Sequence, residues 1–207
     1  LNWSSEAKKG RENSSGIDYQ SLPEVFFKWL GVGLNKRIIM DRVSISRSIT
    51  RISHEIIENS ISTDEMVLIG IHNRGVPLAR RIQKVIFDIS GLNLKLGSLD
   101  ITFHRDDYKE RLIMPEVKGT DIQFKLDGKV VVLIDDVLYT GRTIRASLDE
   151  LNSFGRASKV KLAVLIDRGH RELPIKADFV GKNIPTHDGE HVKVNLSETD
   201  DEDSVFL

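Results

Sequence analysis

The chain has 207 residues, of which 40% are hydrophobic and 29% are charged, and its formal net charge is -1. This length and composition are typical of one folded domain with an ordinary surface, and they exclude a strong global attraction to nucleic acid. The absence of cysteine excludes disulfide scaffolds, thiolate zinc sites and cysteine nucleophiles, and it makes the cytoplasm the expected compartment.

The first 35 residues are predicted to form an N-terminal extension. They mix Ser, Lys, Gly and Asn without periodicity as far as Ser21, which predicts partial disorder. Apolar residues in the segment 25–30 recur at helical spacing, so a short helix would dock on the body or on a partner subunit, or the extension has no role. No apolar run approaches the ~20 residues of a membrane span, and we expect neither a span nor a signal peptide.

From residue 36 onward, strand patterns alternate with helix patterns. The predicted strands are 37–41, 66–71, 94–103, 129–137 and 159–167, and the predicted helices are 45–60, 76–89 and 142–153. Several of these strands are continuous apolar runs, which favours burial on both faces. The alternation predicts an α/β fold with a parallel sheet, whose functional site lies at the carboxyl ends of the strands.

Two segments break this alternation. Residues 104–128 are long, charged and weakly periodic, and their place beside the expected site predicts a lid. The acidic residues 198–207 are predicted to be a solvated, flexible tail. The predicted domain therefore spans residues 36–197.

The stretch VVLIDDVLYTGRT, residues 131–143, ends a predicted buried strand in two adjacent carboxylates. Because burying an unpaired charge is costly, Asp135 and Asp136 are expected where the strand leaves the core. Gly141 allows a tight turn, and the first N–H groups of the following helix favour a phosphate. The carboxylates would bind ribose hydroxyls or Mg²⁺. The alternative is an acidic strand end before a capped helix.

Residues 131–143 resemble the phosphoribosyl-pyrophosphate (PRPP) signature of type I phosphoribosyltransferases. Four other stretches are TRISHE (50–55), GIHNRG (70–75), DITFHRDD (100–107) and LAVLIDRGHRELPIKADFVGKNIPT (162–186). Together they resemble the PyrR family, which combines pyrimidine operon attenuation with uracil phosphoribosyltransferase activity. The resemblance implies the type I phosphoribosyltransferase fold, a parallel-sheet core flanked by helices with a small hood and a flexible lid loop.

The resemblance also implies the residues of a PRPP site. They are Asp135 and Asp136 for the ribose hydroxyls, Thr140, Gly141, Arg142 and Thr143 for the 5′-phosphate, and His72, Asn73, Arg74 and Gly75 for pyrophosphate. Catalysis would rest on Asp135, Asp136, Arg74 and the lid residue Arg105. Mg²⁺ would bind mainly through PRPP, without a firm protein ligand. Alone, GIHNRG is typical of an ordinary turn, and Arg105 of a solvated charged loop.

The uracil site is expected near ADFVGKN, residues 177–183. By resemblance, Phe179 and Val180 flank the base, and nearby backbone groups read its polar edges. A single buried aromatic residue is usually part of the core. Core packing of Phe179 is therefore an equal alternative.

One face of the first long helix carries Arg47, Thr50, Arg51 and His54, opposite much of its isoleucine stripe. The resemblance implies a surface for an mRNA hairpin that contains these donors and Arg171. Its other residues are Arg168, His170, Lys176, Lys182 and Thr186. The alternative is the ordinary charged face of an amphipathic helix, consistent with an isoelectric point near 6.7.

These observations together predict a uracil phosphoribosyltransferase that is also a UMP-responsive mRNA attenuator. Its predicted partners are PRPP, uracil, UMP, an mRNA hairpin and further copies of the chain. Two other functions remain open. One is a phosphoribosyltransferase without RNA regulation, with uracil or another base as its substrate. The other is an RNA-binding regulator whose phosphoribosyl site mainly senses nucleotide.

Overall fold

The computed structural model describes residues 37–59, 65–101, 119–187 and 189–207. The strands are β1 (Ile38–Met40), β2 (Met66–Ile71), β3 (Lys95–Leu99), β4 (Val130–Leu138), β5 (Lys159–Asp167), β6 (Phe179–Asn183), β7 (Lys193–Asn195) and β8 (Ser204–Phe206). The helices are α1 (Arg42–Glu58), α2 (Gly75–Ser90), α3 (Arg142–Leu151) and α4 (Ser197–Asp200), and a 3₁₀ turn covers Asn152–Phe154. The predicted extension, residues 1–35, lies outside the described residues.

A five-stranded sheet with the order β3-β2-β4-β5-β6 forms the centre of the fold. All of its strand pairs are parallel, as the alternation of strands and helices predicts. Every residue of β2 is buried, because helices cover both faces of a parallel sheet. The α/β fold class is therefore confirmed.

The helices divide the core into two layers. Alternate residues of β4 point to opposite faces of the sheet, so Val132 and Ile134 pack with α1 and α2, and Val131 and Leu133 pack with α3. The predicted isoleucine stripe of α1 is buried at every position from Ile45 to Ile56. This helix begins at an Asp41 cap that accepts a hydrogen bond from the Ser44 backbone N–H at 2.8 Å.

A second, antiparallel sheet with the order β1-β8-β7 contains the end of the chain. This pairing contradicts the prediction of a flexible tail for residues 198–207. The central residue of β8, Val205, is fully buried, and arginines at the start and in the middle of α2 bind the acidic side chains before it. Glu198, Asp200 and Asp203 are therefore paired with arginines, whereas Asp201 and Glu202 are exposed.

The predicted lid, 104–128, is described only from Gly119 onward. Asp121 exchanges two backbone hydrogen bonds of 2.9 Å with Ser98 of β3, and Leu126 is fully buried. The last part of the predicted lid is therefore packed against the sheet. Arg105 lies outside the described residues. Among the residues that are described, no helix is long and apolar enough to cross a membrane.

Candidate active site

The site lies where the loops after β2 and β4 meet. These strands are neighbours in the sheet, and Gly70 of β2 pairs with Ile134 of β4. The carboxyl ends of parallel neighbours open at one edge of the sheet. The sheet therefore brings the two sequence-predicted loops, 72–75 and 139–143, side by side.

Asp135 and Asp136 lie near the end of β4, and each accepts a backbone hydrogen bond. The N–H of Asp136 donates to Asp135 Oδ1 at 2.9 Å, and the N–H of Val137 donates to Asp136 Oδ1 at 3.0 Å. Burial raises the pKa of Asp136, whereas a hydrogen bond with the Asp135 side chain and the charge of Arg74 lower it. The result is an oriented carboxylate pair, suited to hydroxyl groups of a ligand.

The loop after β2 approaches β4 closely because residue 75 is glycine. A Cβ atom at Gly75 would lie 2.4 Å from the carbonyl oxygen of Ile134, so a larger residue would push the loop away from the carboxylate pair. The peptide bond between His72 and Asn73 is cis. The N–H of His72 donates to the carbonyl of Leu99 at 2.9 Å, which fastens the loop to β3.

The loop after β4 makes a tight turn into α3. Gly141 has a φ of 94°, a left-handed conformation that favours glycine. The carbonyl of Thr140 accepts hydrogen bonds from the N–H groups of Glu172 and Leu173 at 3.0 and 3.1 Å. Since α3 begins at Arg142, its first N–H groups open onto this turn and suit an anion such as a phosphate.

Arg142 and Thr143, the other predicted phosphate residues, start α3. The Nε of Arg142 donates to Glu172 at 2.8 Å, and the carbonyl of Thr143 accepts from Ser147 Oγ at 2.9 Å. Arg142 and Glu172 are both about half exposed, and exposed ion pairs of this kind contribute little to stability.

Sequence reasoning missed an ion pair between Arg74 and Asp200. The Nε and Nη2 of Arg74 donate to Oδ2 and Oδ1 of Asp200 at 3.0 and 2.7 Å. Arg81 binds Glu198 and Asp203 in the same acidic segment. Arg74, the residue that precedes α2, and Arg81 are seven residues apart, which puts them on the same side of the helix. The seven-residue spacing of the arginines and the run of acidic residues at 198–203 indicate complementary charge, but they do not specify which residues pair.

The structure separates the two residues predicted for uracil. Phe179 is 3% exposed and packs in the core layer beside α1 and α2, with Lys161 Nζ 5.6 Å from its ring centroid. Val180 packs against the opposite layer. Because neighbouring residues of a strand point to opposite faces, the two side chains cannot flank one base together. Core packing, the alternative for Phe179, describes its observed place.

On α1, the predicted RNA residues Thr50, Arg51 and His54 are exposed. Arg51 also donates to the backbone carbonyls of Val180, at 2.9 Å, and Gly181. Lys182, which is exposed, follows on the same strand. The donor face of α1 and the edge of β6 therefore form one continuous surface.

The rest of the predicted RNA set divides into buried and exposed residues. Arg168 and Thr186 are each 7% exposed; Arg168 Nε donates to Thr186 Oγ1 at 3.3 Å, and its guanidinium lies 3.9 Å from the Tyr139 ring centroid. Both side chains are therefore buried and bonded within the protein, contrary to the prediction that they lie on the RNA-binding surface. His170 and Lys176 are exposed.

Arg171, also predicted for the RNA surface, stabilises the loop that follows β5, beside the 140–143 turn. Its Nη1 donates to the carbonyl of Tyr139 at 2.8 Å, its Nε donates to the carbonyl of Ile175 at 3.0 Å, and its Nη2 pairs with Asp167. Such a network holds the guanidinium in place within the fold.

The part of the chain that is described has no group of three or more His, Asp or Glu side chains that could hold a metal ion. Asp135 and Asp136 are the neighbouring oxygen donors at the site. Magnesium in phosphate-transfer sites is often bound by one or two carboxylates together with substrate oxygens. The carboxylate pair fits such a partly substrate-bound ion.

A parallel sheet with a carboxylate pair and an anion-suited turn at its carboxyl edge is the arrangement expected of a phosphoribosyltransferase. In agreement, the sequence model of the family "Phosphoribosyl transferase domain" matches residues 39–199. The fold is similar to hypoxanthine phosphoribosyltransferase from Trypanosoma cruzi in complex with the product IMP (TM-score 0.62, 18% identity, 84% and 90% of the two chains covered). It is also similar to hypoxanthine phosphoribosyltransferase from Staphylococcus aureus (TM-score 0.55, 19% identity, 75% and 80% covered).

Curated relatives of similar sequence identify the family within this class. "Bifunctional protein PyrR" of Clostridioides difficile strain 630 is 54% identical, with 84% of this chain and 98% of the relative covered. The proteins of the same name from Pelotomaculum thermopropionicum and Thermus aquaticus are 53% and 52% identical, each with 83% of this chain and 95% of the relative covered. The chain belongs to the PyrR family of phosphoribosyltransferases.

Proposed function

We propose that this protein converts uracil and PRPP to UMP and pyrophosphate, and that it also binds a pyrimidine-operon mRNA hairpin in response to UMP. The observation that carries the enzymatic proposal is the carboxylate pair on β4 directly before the phosphate turn, in a chain that belongs to the PyrR family. All of the proposed ligands occur in the cytoplasm, and we propose that the protein acts there.

In the proposed reaction, a ring nitrogen of uracil forms a bond with C1 of the ribose while the bond from C1 to the pyrophosphate oxygen breaks, and the proton on that nitrogen is released to the departing pyrophosphate or to water. Asp135 and Asp136 bind the ribose hydroxyls, and their charge stabilises the positive charge that develops on the ribose ring. The 140–143 turn holds the 5′-phosphate. Arg74, with the 72–75 loop, binds the leaving pyrophosphate. The reaction needs no covalent nucleophile.

Bound Mg²⁺ would neutralise charge on the pyrophosphate. It would be held mainly by PRPP oxygens beside Asp135 and Asp136. Arg105 in the predicted lid is proposed as a further pyrophosphate contact that forms on closure.

The register of the sheet supports a base site at Val180. Asp135 pairs with Val164, and Val164 pairs with Val180, so these residues form one row across three strands. Neighbouring strands are ~4.8 Å apart, which separates Asp135 from Val180 by roughly 10 Å. This span suits a nucleotide with its ribose at Asp135 and its base toward Val180. Phe179 would then support the β6 backbone from the core side.

The RNA surface is proposed from the exposed donors alone. They are Arg47, Thr50, Arg51, His54, His170, Lys176 and Lys182. RNA loops are recognised by stacking and base-edge contacts with support from phosphate contacts, which these side chains can supply. We propose that association of two or more copies of the chain aligns such surfaces.

A product assay tests the proposed function. Uracil, orotate, hypoxanthine and guanine are offered separately with PRPP and Mg²⁺, and nucleotide and pyrophosphate are measured. UMP formation from uracil alone is the expected result. Turnover with UMP-independent or absent hairpin binding would favour an enzyme without RNA regulation. UMP-dependent hairpin binding with no turnover on any base would favour a regulator that senses nucleotide.

A further inference from the structure

The side chain of Arg74 interacts with two carboxylates. It forms the bidentate pair with Asp200 described above, and its charge also interacts favourably with Asp136. Asp200 is the last residue of α4. The ion pair therefore connects the C-terminal segment with the loop proposed to bind pyrophosphate.

Asp200 is itself held by several other contacts. Its Oδ2 accepts hydrogen bonds from the Leu196 N–H at 3.2 Å and from Thr199 Oγ1 at 2.6 Å. The ion pairs of Arg81 with Glu198 and Asp203 fasten the segment on both sides of Asp200. The hydrogen bonds from Arg74 and then Thr199 hold the pKa of Asp200 well below its usual range, so this carboxylate is ionised at neutral pH.

The geometry of the pair determines which part of Arg74 can meet an anion. A guanidinium has five N–H donors in a rigid plane, and a pair made through Nε and Nη2 leaves the Nη1 donors outside it. If Asp200 were absent, the attraction between opposite charges would draw Arg74 toward Asp136. Arg74 would then neutralise a carboxylate that the ribose needs.

We propose that Asp200 is a positioning residue, which holds the Arg74 guanidinium away from Asp136 and directs its Nη1 donors toward the pyrophosphate of PRPP. This inference rests on the proposed PRPP site. It gives the acidic C-terminal segment a role in substrate binding that its sequence alone did not indicate.

The test compares Asp200→Ala with Asp201→Asn, which removes a charge from the neighbouring exposed residue. Asp200→Ala is expected to raise the KM for PRPP and the Kd for Mg²⁺-pyrophosphate by about tenfold, because a freed arginine loses its fixed orientation. The KM for uracil is expected to stay unchanged. Asp201→Asn is expected to match the wild type in all three constants.

Chemical rescue separates positioning from a loss of folding. The Asp200 side chain is 16% exposed, so added formate can reach the place of the lost carboxylate. Formate is expected to restore the KM of Asp200→Ala for PRPP, whereas chloride at the same ionic strength is expected to have no effect. A variant that formate does not rescue would show a structural role and overturn the proposal.

Two further outcomes would also overturn it. An unchanged KM for PRPP in Asp200→Ala, beside normal wild-type turnover, would remove the role of Asp200 and leave the proposed function intact. A lower KM would show that Asp200 competes with pyrophosphate. A wild type that binds neither PRPP nor Mg²⁺-pyrophosphate would instead overturn the PRPP site itself, and the role of Asp200 with it.

Discussion

At the residue scale, the central question is what Asp136 contributes to the proposed chemistry. Asp136→Asn keeps the size of the side chain and removes the charge that would stabilise the ribose ring in the transition state. We expect kcat/KM for UMP formation to fall by roughly 100-fold or more. Burial disfavours the charged form of Asp136, so the variant is expected to unfold at the same temperature or higher at pH 7. Unchanged activity in a folded variant would refute the site.

The pH dependence of the reaction reports on the same carboxylate. Burial is the main cause that raises the pKa of Asp136, so its proton is retained to a higher pH than that of an ordinary aspartate, about 3.9. If the ionised form is needed, the acid limb of kcat/KM lies above that value. The charge of Arg74 lowers the pKa of Asp136. Arg74→Gln is therefore expected to move the acid limb of kcat/KM to still higher pH. An acid limb at the same pH in Arg74→Gln and the wild type would show that Arg74 does not influence the ionisation of Asp136.

The site could be predicted from the sequence where its residues are contiguous. Asp135, Asp136 and Gly141 stand in one short stretch in which strand, turn and helix follow each other. Arg168 and Thr186 could not be separated from surface donors, because their burial depends on a hydrogen bond between residues 18 positions apart. The pairing of Arg74 with Asp200 spans 126 positions, and no local pattern contains it.

At the scale of elements, predictability follows length and burial. The long helix α1 and the buried strands β2, β4 and β5 have clear periodicity or continuous apolar runs, and their predicted bounds agree with the structure within a few residues. The short strands at the end of the chain are different. Three residues such as Ser204–Phe206 form a strand only because β1 and β7 lie on both sides, and such pairing is decided by tertiary context.

The C-terminal segment gives a prediction for stability in acid. Hydrogen bonds from Arg81 lower the pKa of Glu198 and lower that of Asp203 to about 2. A carboxyl group whose pKa is lowered by folding stabilises the protein at pH values above its pKa in the unfolded chain, near 4. This contribution is lost as the pH falls through the pKa of the folded state. Arg81→Met is therefore expected to cost about 1–3 kcal/mol at pH 7 and to flatten the dependence of unfolding free energy on pH between about 4 and 2.

Urea unfolding at pH 7, 4 and 3 measures this effect. Lys84→Met is the matched control, since it removes a lysine from α2 that forms an exposed pair with Asp88, with side chains 75% and 53% exposed. Exposed pairs contribute at most about 1 kcal/mol, and the control is expected to follow the wild type. Parallel curves of unfolding free energy against pH for Arg81→Met and the wild type would show that the ion pairs of Arg81 with Glu198 and Asp203 do not stabilise the fold.

At the scale of the whole molecule, one side chain connects the two proposed activities. Arg51 stands on the donor face of α1 proposed for RNA and donates to the carbonyls of Val180 and Gly181 on β6. The proposed base site uses the same strand. A hairpin that draws Arg51 away from β6 would release these carbonyls, and a nucleotide that fixes β6 would keep Arg51 in place. The two ligands would thus influence each other through one shared contact, and such influence is reciprocal.

Arg51→Ala and Arg47→Ala test this connection, because both arginines are exposed on α1 and one turn apart. Each variant is expected to weaken hairpin binding and to reduce the slope of log affinity against log salt by about 1, as the loss of one phosphate contact requires. Only Arg51→Ala is expected to raise the KM for uracil and to reduce the effect of UMP on hairpin affinity. If both variants bind the hairpin as the wild type does, the α1 face is not the RNA surface. If UMP changes the hairpin affinity of both variants equally, Arg51 does not couple the two sites.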